Sequence, residues 1–449
     1  MSRVNRKKKV RSKRKDVDGK MTTSGRQKAS RVVEEVPMAP PAPVVENEMD
    51  QEKQLWRPGI DGMEDGEELD YDPSAYTTYH AINMEWPCLS FDVLRDPLGH
   101  HRTKFPMEMY LACGSQASKA NQNKVYVMKV SNIQKTSQDD DEMSASEDEV
   151  EDPIIDAKTF KHDGCVNRLR AMPQAANIIA TMSDSKRVHV WDTQHLLGAL
   201  DTTSNSVPPT KPLYTFEGHP VEGYALDWSS TVTGRLLTGD SSKHIYLWDR
   251  VQSGWAINKT PFCGHTASVE DLQWSPVEKD VFASASSDKT IRIWDTRRRK
   301  NSMLFVAAHK ADVNVLSWNP KKSHLMLSGS DDHTFKVWDL RRFKSNTPVG
   351  HFTYHRGPIT SIQWHPTEDA MLAVASEDDT LSVWDLALEA DDDTKTGGTG
   401  GNAEDIPPQL LFVHQGQQHI KELRFHPQVP GVVISTAASG LNLFKPCNL

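Results

Sequence analysis

The chain of 449 residues is long enough for one large repeat domain with tails, and its charge is unevenly divided. Residues 1–36 carry a formal charge of +9, and because the whole chain carries −9, the remainder carries −18. A basic arm on an acidic body suggests an address signal on a binder of basic partners. The five cysteines are far apart, which argues against a disulfide framework and favours a reduced intracellular compartment. No apolar run reaches transmembrane length, so we expect a soluble, non-secreted protein.

The first segment, residues 1–50, is predicted to be a disordered basic and Pro-rich arm, because it lacks the apolar content of a packed core. Eight of its ten residues from position 6 to position 15 are basic, which is typical of a nuclear or nucleolar localisation signal. The alternatives are a nucleic-acid patch and a merely solvated tail. Direct nucleic-acid binding is disfavoured, because the acidic remainder would repel it. The signal comprises Arg6, Lys7, Lys8, Lys9, Arg11, Lys13, Arg14 and Lys15.

An acidic linker at residues 51–74 leads into the predicted domain, residues 75–449, which is interrupted by an acidic insertion at 138–153. The insertion cannot pack, since ionised carboxylates are too costly to bury unpaired. It is either a solubilising loop or a flexible anionic clamp for a basic partner. Ser144 and Ser146 lie in an acidic context suited to phosphorylation, which would add negative charge. The nine carboxylates of the clamp are Asp139, Asp140, Asp141, Glu142, Glu147, Asp148, Glu149, Glu151 and Asp152.

A unit of fixed spacing recurs through most of the domain. In five copies a His lies 29 residues before a Trp-Asp pair, and these pairs recur at intervals of 57, 46, 44 and 46 residues, as in a repeat architecture. Three short apolar alternations follow each His and a fourth precedes it, which predicts four antiparallel strands. Sheets of this kind repeated radially form a β-propeller, and the Trp-Asp pattern is the signature of WD40 repeats. The pairs are His162 and Trp191, His219 and Trp248, His265 and Trp294, His309 and Trp338, and His355 and Trp384.

The last repeat ends at Phe444 and leaves too few residues for an outer strand. Because a ring must pair every sheet edge or leave one exposed, we expect Tyr76–Ile82 to supply the missing strand and to tie the two ends of the chain together. An additional first blade, five Trp-Asp units and a degenerate last unit then make a seven-bladed, all-β propeller. The predicted strands of the first blade are Leu89–Leu94, Met107–Gly114, Val125–Val130 and Ile155–Phe160.

Each unit also contains a His, a Ser and an Asp that together resemble a hydrolase triad, as in His265, Ser284 or Ser286, and Asp288. An active site needs one such set, whereas the set recurs here from unit to unit. We therefore interpret it as a hydrogen-bond chain from His through Ser to the Trp indole. The sequence shows no phosphate-binding Gly loop, metal-ligand cluster or solitary acid–base pair, so we predict a non-enzymatic protein without catalytic residues, metal or cofactor.

The chain resembles the histone-binding WD40 family, which includes chromatin-assembly and retinoblastoma-binding subunits, in four stretches. These are EWPCLSF at Glu85–Phe91, HDGCVNRLRAMPQAANIIAT from His162, HTASVEDLQW from His265 and AEDIPPQLLFVHQG at Ala403–Gly416. Within that family, it is most similar to the glutamate-rich WD-repeat proteins over Asp72–Leu449. The resemblance implies a nuclear and nucleolar chaperone of basic proteins, which escorts a large-subunit ribosomal protein for 60S ribosome assembly alongside pre-60S assembly factors, and which also binds histones.

Two other functions remain open. One is a histone-binding subunit of a chromatin-assembly or remodelling complex. The other is a substrate receptor of a cullin-four ubiquitin ligase, because WDTR at Trp294–Arg297 and WDLR at Trp338–Arg341 resemble the box that docks on the adaptor of that ligase. The tetrapeptide is common among propellers, so a structural role of the box is favoured.

The resemblance also implies two binding surfaces. One is the central face where the innermost strands begin, at positions four and six residues before each inner-strand Trp; the pattern fails in the next blade, at Pro358 and Thr360. Singly, each acid is an ordinary solvated residue, but a ring of one sign focuses the field. The other surface is a groove beside the sixth-blade loop at 386–409, although residues 45–70 are poor material for its helix. The central-face residues are Asn167, Glu222, Tyr224, Glu270, Asp312 and Asn314, and the groove-loop residues are Asp405, Pro407 and Pro408.

Overall fold

The computed structural model describes residues 4–8, 67–136, 152–202, 209–298, 300–389 and 407–449, with side chains from residue 72 onward. It contains a small unit at residues 3–72 and a large unit that includes Pro73–Leu449. In the small unit, β1 (Val4–Lys8) pairs antiparallel with β2 (Glu67–Tyr71), and Lys8 lies opposite Glu67. Most of the predicted arm and linker lies outside the described residues.

Seven four-stranded antiparallel sheets make up the large unit, which confirms the predicted all-β, seven-bladed propeller. The first strands of successive blades contact one another around a closed ring, so they are the innermost strands. The blades are formed, from inside to outside, by β4 (Cys88–Leu94), β5 (Met107–Ser115), β6 (Lys124–Ile133) and β7 (Ile154–Lys161); β8 (Val166–Met172), β9 (Ala175–Ser183), β10 (Val188–Asp192) and β11 (Tyr214–Phe216); β12 (Ala225–Trp228), β13 (Leu236–Gly239), β14 (Ile245–Val251) and β15 (Gly254–Ile257); and β16 (Val269–Trp274), β17 (Val281–Ser286), β18 (Thr290–Asp295) and β19 (Leu304–Ala307).

The remaining three blades have the same order of strands. They are formed by β20 (Val313–Trp318), β21 (Leu325–Ser330), β22 (Phe335–Asp339) and β23 (Gly350–Phe352); β24 (Ile359–Trp364), β25 (Met371–Ser376), β26 (Leu381–Asp385) and β27 (Leu410–His414); and β28 (Glu422–Phe425), β29 (Val433–Ala437), β30 (Gly440–Pro446) and β3 (Tyr76–Ile82). The one α-helix of the described residues is α1 (Gln194–Leu197), and no described helix is long and apolar enough to cross a membrane. All five cysteines are described and are free thiols.

The second strand of each blade is the most tightly enclosed. Every residue of β17, VFASAS, is buried, whereas three of the four residues in the outer strand β19 are exposed. Small residues in the second strand let neighbouring blades approach closely. A Cβ built at Gly329 in β21 would lie only 2.4 Å from Cγ2 of Ile359 in the next blade. The short Ala, Ser and Gly side chains of these strands are therefore a requirement of blade-to-blade packing.

The predicted closing strand is observed. β3 pairs antiparallel with β30, with Tyr79 opposite Phe444, so the last blade is completed by residues from the start of the domain. The hydroxyl of Tyr76 lies 2.8 Å from Nδ1 of His414 in the preceding blade, and its ring packs edge-on against Phe412 and Phe444. The closing strand is thus held by buried aromatic contacts as well as by the β-ladder.

The interpretation of the His, Ser and Asp sets as hydrogen-bond chains is also confirmed. Ser284 Oγ accepts from Nε1 of Trp294 at 2.8 Å and lies 2.6 Å from Nε2 of His265, whose Nδ1 lies 2.8 Å from Asp288. The His, the Ser and the Trp are buried, so the chain satisfies polar groups inside the sheet. The other Trp-Asp units use Thr181, Thr238, Ser328 and Ser382 in place of Ser284.

Candidate binding face at the start of the innermost strands

The innermost strands are held in parallel register by side chains that accept hydrogen bonds from the next blade. Asp271 Oδ2 accepts from the backbone N–H of Leu316 at 2.9 Å, and Ser317 Oγ accepts from that of Trp364 at 2.9 Å. The ring is closed by Glu422, whose Oε2 accepts from the backbone N–H of Phe91 in the first blade at 2.9 Å. Because the strands run parallel, all of them begin at one mouth of the ring, which we call the central face.

A β-bulge marks the start of five of the seven innermost strands. In β16 the pairing skips from Val269 to Asp271, which leaves Glu270 without a partner on the neighbouring strand. Bulges of this kind re-aim a side chain away from the pleat of the sheet, here toward the central face. The residues skipped in this way are Leu89, Asn167, Glu270, Asn314 and Thr360.

The six predicted central-face residues come together at this mouth, on adjacent blades. Asn167, Glu270 and Asn314 occupy the bulges, while Glu222 and Tyr224 precede β12. Tyr224 is 37% exposed and supplies an aromatic surface. Asp312 directly precedes β20.

The two predicted asparagines are engaged with neighbouring blades. Nδ2 of Asn167 donates to Glu222 Oε2 at 3.2 Å and to the carbonyl of Gly223 at 3.3 Å. Nδ2 of Asn314 donates to Asp331 Oδ1 at 2.6 Å and to the carbonyl of Ile359 at 3.1 Å. These amides therefore fix the positions of acidic side chains and of the adjacent strand starts.

The acids of blades 3 to 5 share one electrostatic environment. Burial raises the pKa of Glu270, and the negative charges of Asp312 and Asp331 raise it further. Burial also raises the pKa of Asp312, again reinforced by Asp331. The pKa of Tyr224 is raised by burial and then by Glu222 and Glu270. Carboxylates that raise the pKa of one another form a site of concentrated negative potential, which a cationic group would stabilise.

Three residues at this mouth were not singled out from the sequence. Asp331 follows β21 and binds Asn314, and its position just after the second strand is a signal that the repeat register contains. Lys421 directly precedes β28, in the place that Glu270 has in its own blade, and its Nζ lies 3.4 Å from Oε1 of Glu377. Arg168 lies one residue beyond a bulge, and its Nη1 lies 3.2 Å from Oε1 of Glu422. The central face is therefore acidic in blades 3 to 5 and partly neutralised elsewhere.

The other predicted sites are described only in part. In the acidic insertion, Asp152 alone is described, and it is exposed; the remaining carboxylates, Ser144 and Ser146 lie outside the described residues. So do Asp405 and the localisation signal beyond Lys8. Pro407 and Pro408 are described, and the carbonyl of Pro407 accepts from the backbone N–H of Leu410 at 2.9 Å.

The two Trp-Asp-x-Arg boxes have the same geometry. In the first, Nη2 of Arg297 lies 2.6 Å from Asp295 Oδ2, and in the second, Nη2 of Arg341 lies 2.6 Å from Asp339 Oδ2. Both arginine side chains are largely exposed, at 72% and 66%. The Asp of each box thus orients an arginine that remains accessible at the surface.

Two family models match the chain. The model of the histone-binding protein RBBP4 and of its counterpart in the CAF1 complex matches residues 66–134. A model described as WD domain, G-beta repeat, matches residues 210–249, 257–295, 301–339 and 346–385. The first match covers the closing strand and the first three strands of blade 1, and the second covers the regular Trp-Asp units from Trp248 onward.

Relatives with the same organisation occur in distant eukaryotes. The chain is 51% identical over 412 residues to the glutamate-rich WD repeat-containing protein 1 of Dictyostelium discoideum, with 88% of this chain and 85% of the relative covered. It is 44% identical to the ribosome assembly protein rrb1 of Schizosaccharomyces pombe over 422 residues, covering 89% and 88%. It is also 44% identical to the protein HEAT STRESS TOLERANT DWD 1 of Arabidopsis thaliana over 436 residues, covering 88% and 92%.

Proposed function

Because the chain belongs to the family of glutamate-rich WD repeat proteins, we propose that it is a non-enzymatic chaperone of basic proteins. Its client is a large-subunit ribosomal protein that it escorts for 60S assembly in the nucleolus, and it also binds histones. The name of the Schizosaccharomyces relative supports the role in ribosome assembly, and the match to the histone-binding model supports the second client class. The observation that carries the proposal is the group of mutually repelling acids on the central face.

A cationic segment of the client would relieve that repulsion. Glu270 and Asp312 hold raised pKa values because burial and neighbouring carboxylates oppose their ionisation. A Lys or Arg side chain placed among them favours the ionised forms, so its binding is paired with the loss of bound protons. The exposed ring of Tyr224 beside Glu222 and Glu270 offers a surface on which a guanidinium stacks. This arrangement shields positive charge without any bond being made or broken.

The acidic insertion would add to the same effect at longer range. Its nine carboxylates supply a counter-charge for a client that carries many cations. An interaction of this kind increases the rate of association and weakens as salt is added. The basic arm has the composition of the address that takes the complex to the nucleus and nucleolus.

The test is a matched pair of charge-neutral double variants. Glu270→Gln with Asp312→Asn removes two charges from the central face, and we expect the Kd for a fluorescently labelled basic ribosomal protein to rise about tenfold at constant ionic strength. Glu278→Gln with Glu368→Gln removes two charges from exposed turns beyond the other ends of β16 and β24, and should change the Kd little. Equal losses in the two variants would show that only net charge matters and would reject the central face.

A second candidate is the receptor of a ubiquitin ligase, favoured by one observation. The exposed Arg297 and Arg341 of the two boxes are held by their aspartates in the same orientation. If the boxes dock on a ligase adaptor, replacing both arginines by Ala abolishes co-purification of that adaptor and leaves binding of the basic client intact. Unchanged co-purification would reject this candidate.

A further inference from the structure

A cavity of about 350 Å³ lies at the end of the ring opposite the central face. It is lined by the last residues of the innermost strands and by the turns that follow them, and all seven blades contribute. This size is at the small end of the range of ligand sites in proteins. The polar and charged lining residues are Asp92, Arg95, Arg170, Asp227, Gln273, Ser317, Gln363 and Arg424, together with the rings of Trp228, Trp318 and Trp364.

The indole of Trp364 differs from those at the corresponding ends of the neighbouring strands. Nε1 of Trp228 donates to the carbonyl of Arg170 at 3.0 Å, Nε1 of Trp274 to that of Asp227 at 3.2 Å, and Nε1 of Trp318 to that of Ser323 at 2.6 Å. Nε1 of Trp364 is buried and has no acceptor among the described residues, and the residue is only 2% exposed. A buried N–H without an acceptor costs free energy unless something in the cavity accepts from it.

Arg424 supplies a second donor on the same cavity wall. Its Nε is buried and makes no hydrogen bond among the described residues, and the nearest carboxylate oxygens lie 3.9 Å away on Asp92 and 3.6 Å away, from Nη2, on Glu422. Arg170, by contrast, is well supplied with acceptors, since its Nη2 lies 2.5 Å from Glu422 and its Nη1 lies 2.7 Å from the carbonyl of Leu169. Arg424 is therefore the cation of this cluster with hydrogen-bonding capacity left over.

The acids that line the cavity have other partners. Asp92 accepts from the backbone N–H groups of Val93 and Ala171 at 3.0 and 2.9 Å. Asp227 accepts from the backbone N–H of Trp274 at 2.7 Å, and burial raises its pKa to about 7 despite that bond. Near neutral pH the Asp227 carboxyl is thus only partly ionised, which limits its repulsion of an incoming anion.

We propose that this cavity is a binding site for a carboxylate group, which accepts from Nε1 of Trp364 and is paired with the guanidinium of Arg424. A planar carboxylate has two oxygens, one for each donor, and its charge matches the arginine. The carboxylate belongs either to a free small organic acid or to the acidic side chain of a partner that enters the channel from this end. The site is independent of the central face, so its presence does not depend on the client proposed above.

The full-length protein labelled with ¹⁵N at its tryptophan indoles provides a direct test, with succinate as the probe and sodium chloride as the ionic-strength control. We expect succinate to move the Trp364 indole resonance in a saturable manner and to leave the Trp318 resonance, whose N–H is already bonded to Ser323, in place. Trp364→Phe assigns the resonance, and Trp318→Phe is its matched control. Arg424→Gln should weaken succinate binding by about tenfold, the loss typical of one hydrogen bond to a charged group.

A blocked peptide that contains one Asp distinguishes the two sources of the carboxylate. If the peptide moves the Trp364 resonance at least as strongly as succinate does, the site recognises an acidic side chain; if succinate alone moves it, the ligand is a free acid. No saturable shift with either probe, or shifts that Arg424→Gln leaves unchanged, would overturn the proposal and assign the unpartnered donors to interior water. Trp364→Phe is expected to fold, and loss of succinate binding in that variant provides a second line of evidence.

Discussion

The two ends of the innermost strands are built from the same repeat but have opposite characters. At the central face, β-bulges turn one side chain per blade outward, and these side chains differ from blade to blade, with Glu270, Asn314 and Thr360 in successive positions. At the other end, most strands finish in an aromatic ring, as with Trp274, Trp318 and Trp364. Variation at the first end and regularity at the second indicate that recognition is concentrated where the ladder is interrupted, while the regular end is constrained by packing.

The connection between the two ends passes through Glu422, and its loss has the largest expected effect. Burial alone would raise the pKa of this carboxylate, but Arg170, Arg424 and Arg168 lower it to about 2. Glu422→Ala leaves buried guanidinium groups without their partner, so we expect a loss of about 3–5 kcal/mol in the free energy of unfolding. Chemical denaturation of the variant beside Glu422→Gln, which keeps an acceptor for Ser90 and Phe91, measures it. A loss below about 1 kcal/mol would show that the ring closes without this residue.

Asp227 belongs to the regular end only, and its replacement should have a moderate effect of the opposite sign. Its folded pKa of about 7 lies above the unfolded value, so the proton stabilises the folded state and stability falls as pH rises toward 7. Asp227→Asn keeps an acceptor for the Trp274 N–H and cannot ionise. We expect it to be more stable than the parent by about 1–2 kcal/mol at pH 8 and to lose the decline in stability between pH 4 and 7. Thermal unfolding measured across this range decides the matter, and an unaltered pH profile would contradict it.

The smallest effect is expected at the central face, from Lys289. This residue joins β17 to β18 with a φ of 68°, a left-handed conformation that a side chain disfavours. Lys289→Gly should stabilise the protein by about 0.5 kcal/mol, since the relief of backbone strain exceeds the entropy cost of Gly. It also removes a positive charge that lowers the pKa of Asp312, so binding of the basic client should tighten slightly. Lys243→Gly has the same φ and serves as the control for stability alone; tighter binding in both variants would exclude an effect through Asp312.

The sequence predicted what depends on the period of the repeat. The constant distance between each His and Trp located five blades, and the shortage of residues after Phe444 predicted the closing strand, whose partner continues to Pro446. Central-face positions followed from the same register, because each is counted back from a Trp. That Asn167 and Asn314 bond neighbouring blades could not be inferred, since a spacing says nothing about which groups meet across a blade boundary.

The features that escaped prediction all depend on contacts between distant segments. Glu422 meets Arg168 and Arg170 only because the ring closes, and the missing acceptor of Trp364 is visible only beside the satisfied indoles of its neighbours. In blade 6, the hydroxyl between His355 and Trp384 comes from Ser382, on the same strand as the Trp, rather than from the second strand. A local pattern predicts that a hydroxyl is needed there, but two strands offer one, and side-chain packing selects between them.

The pairing of β3 with β30 has a consequence for synthesis of the protein. Tyr76 and its buried partner His414 are 338 residues apart, so the strand emerges from the ribosome long before anything can pair with it. At ordinary translation rates this wait is roughly 20 to 70 seconds, during which the nascent chain presents an unfilled strand and its aromatic side chains. The protein therefore depends on protection while it is being made, and release of the finished chain, rather than the folding of any single blade, sets the moment at which the ring can lock.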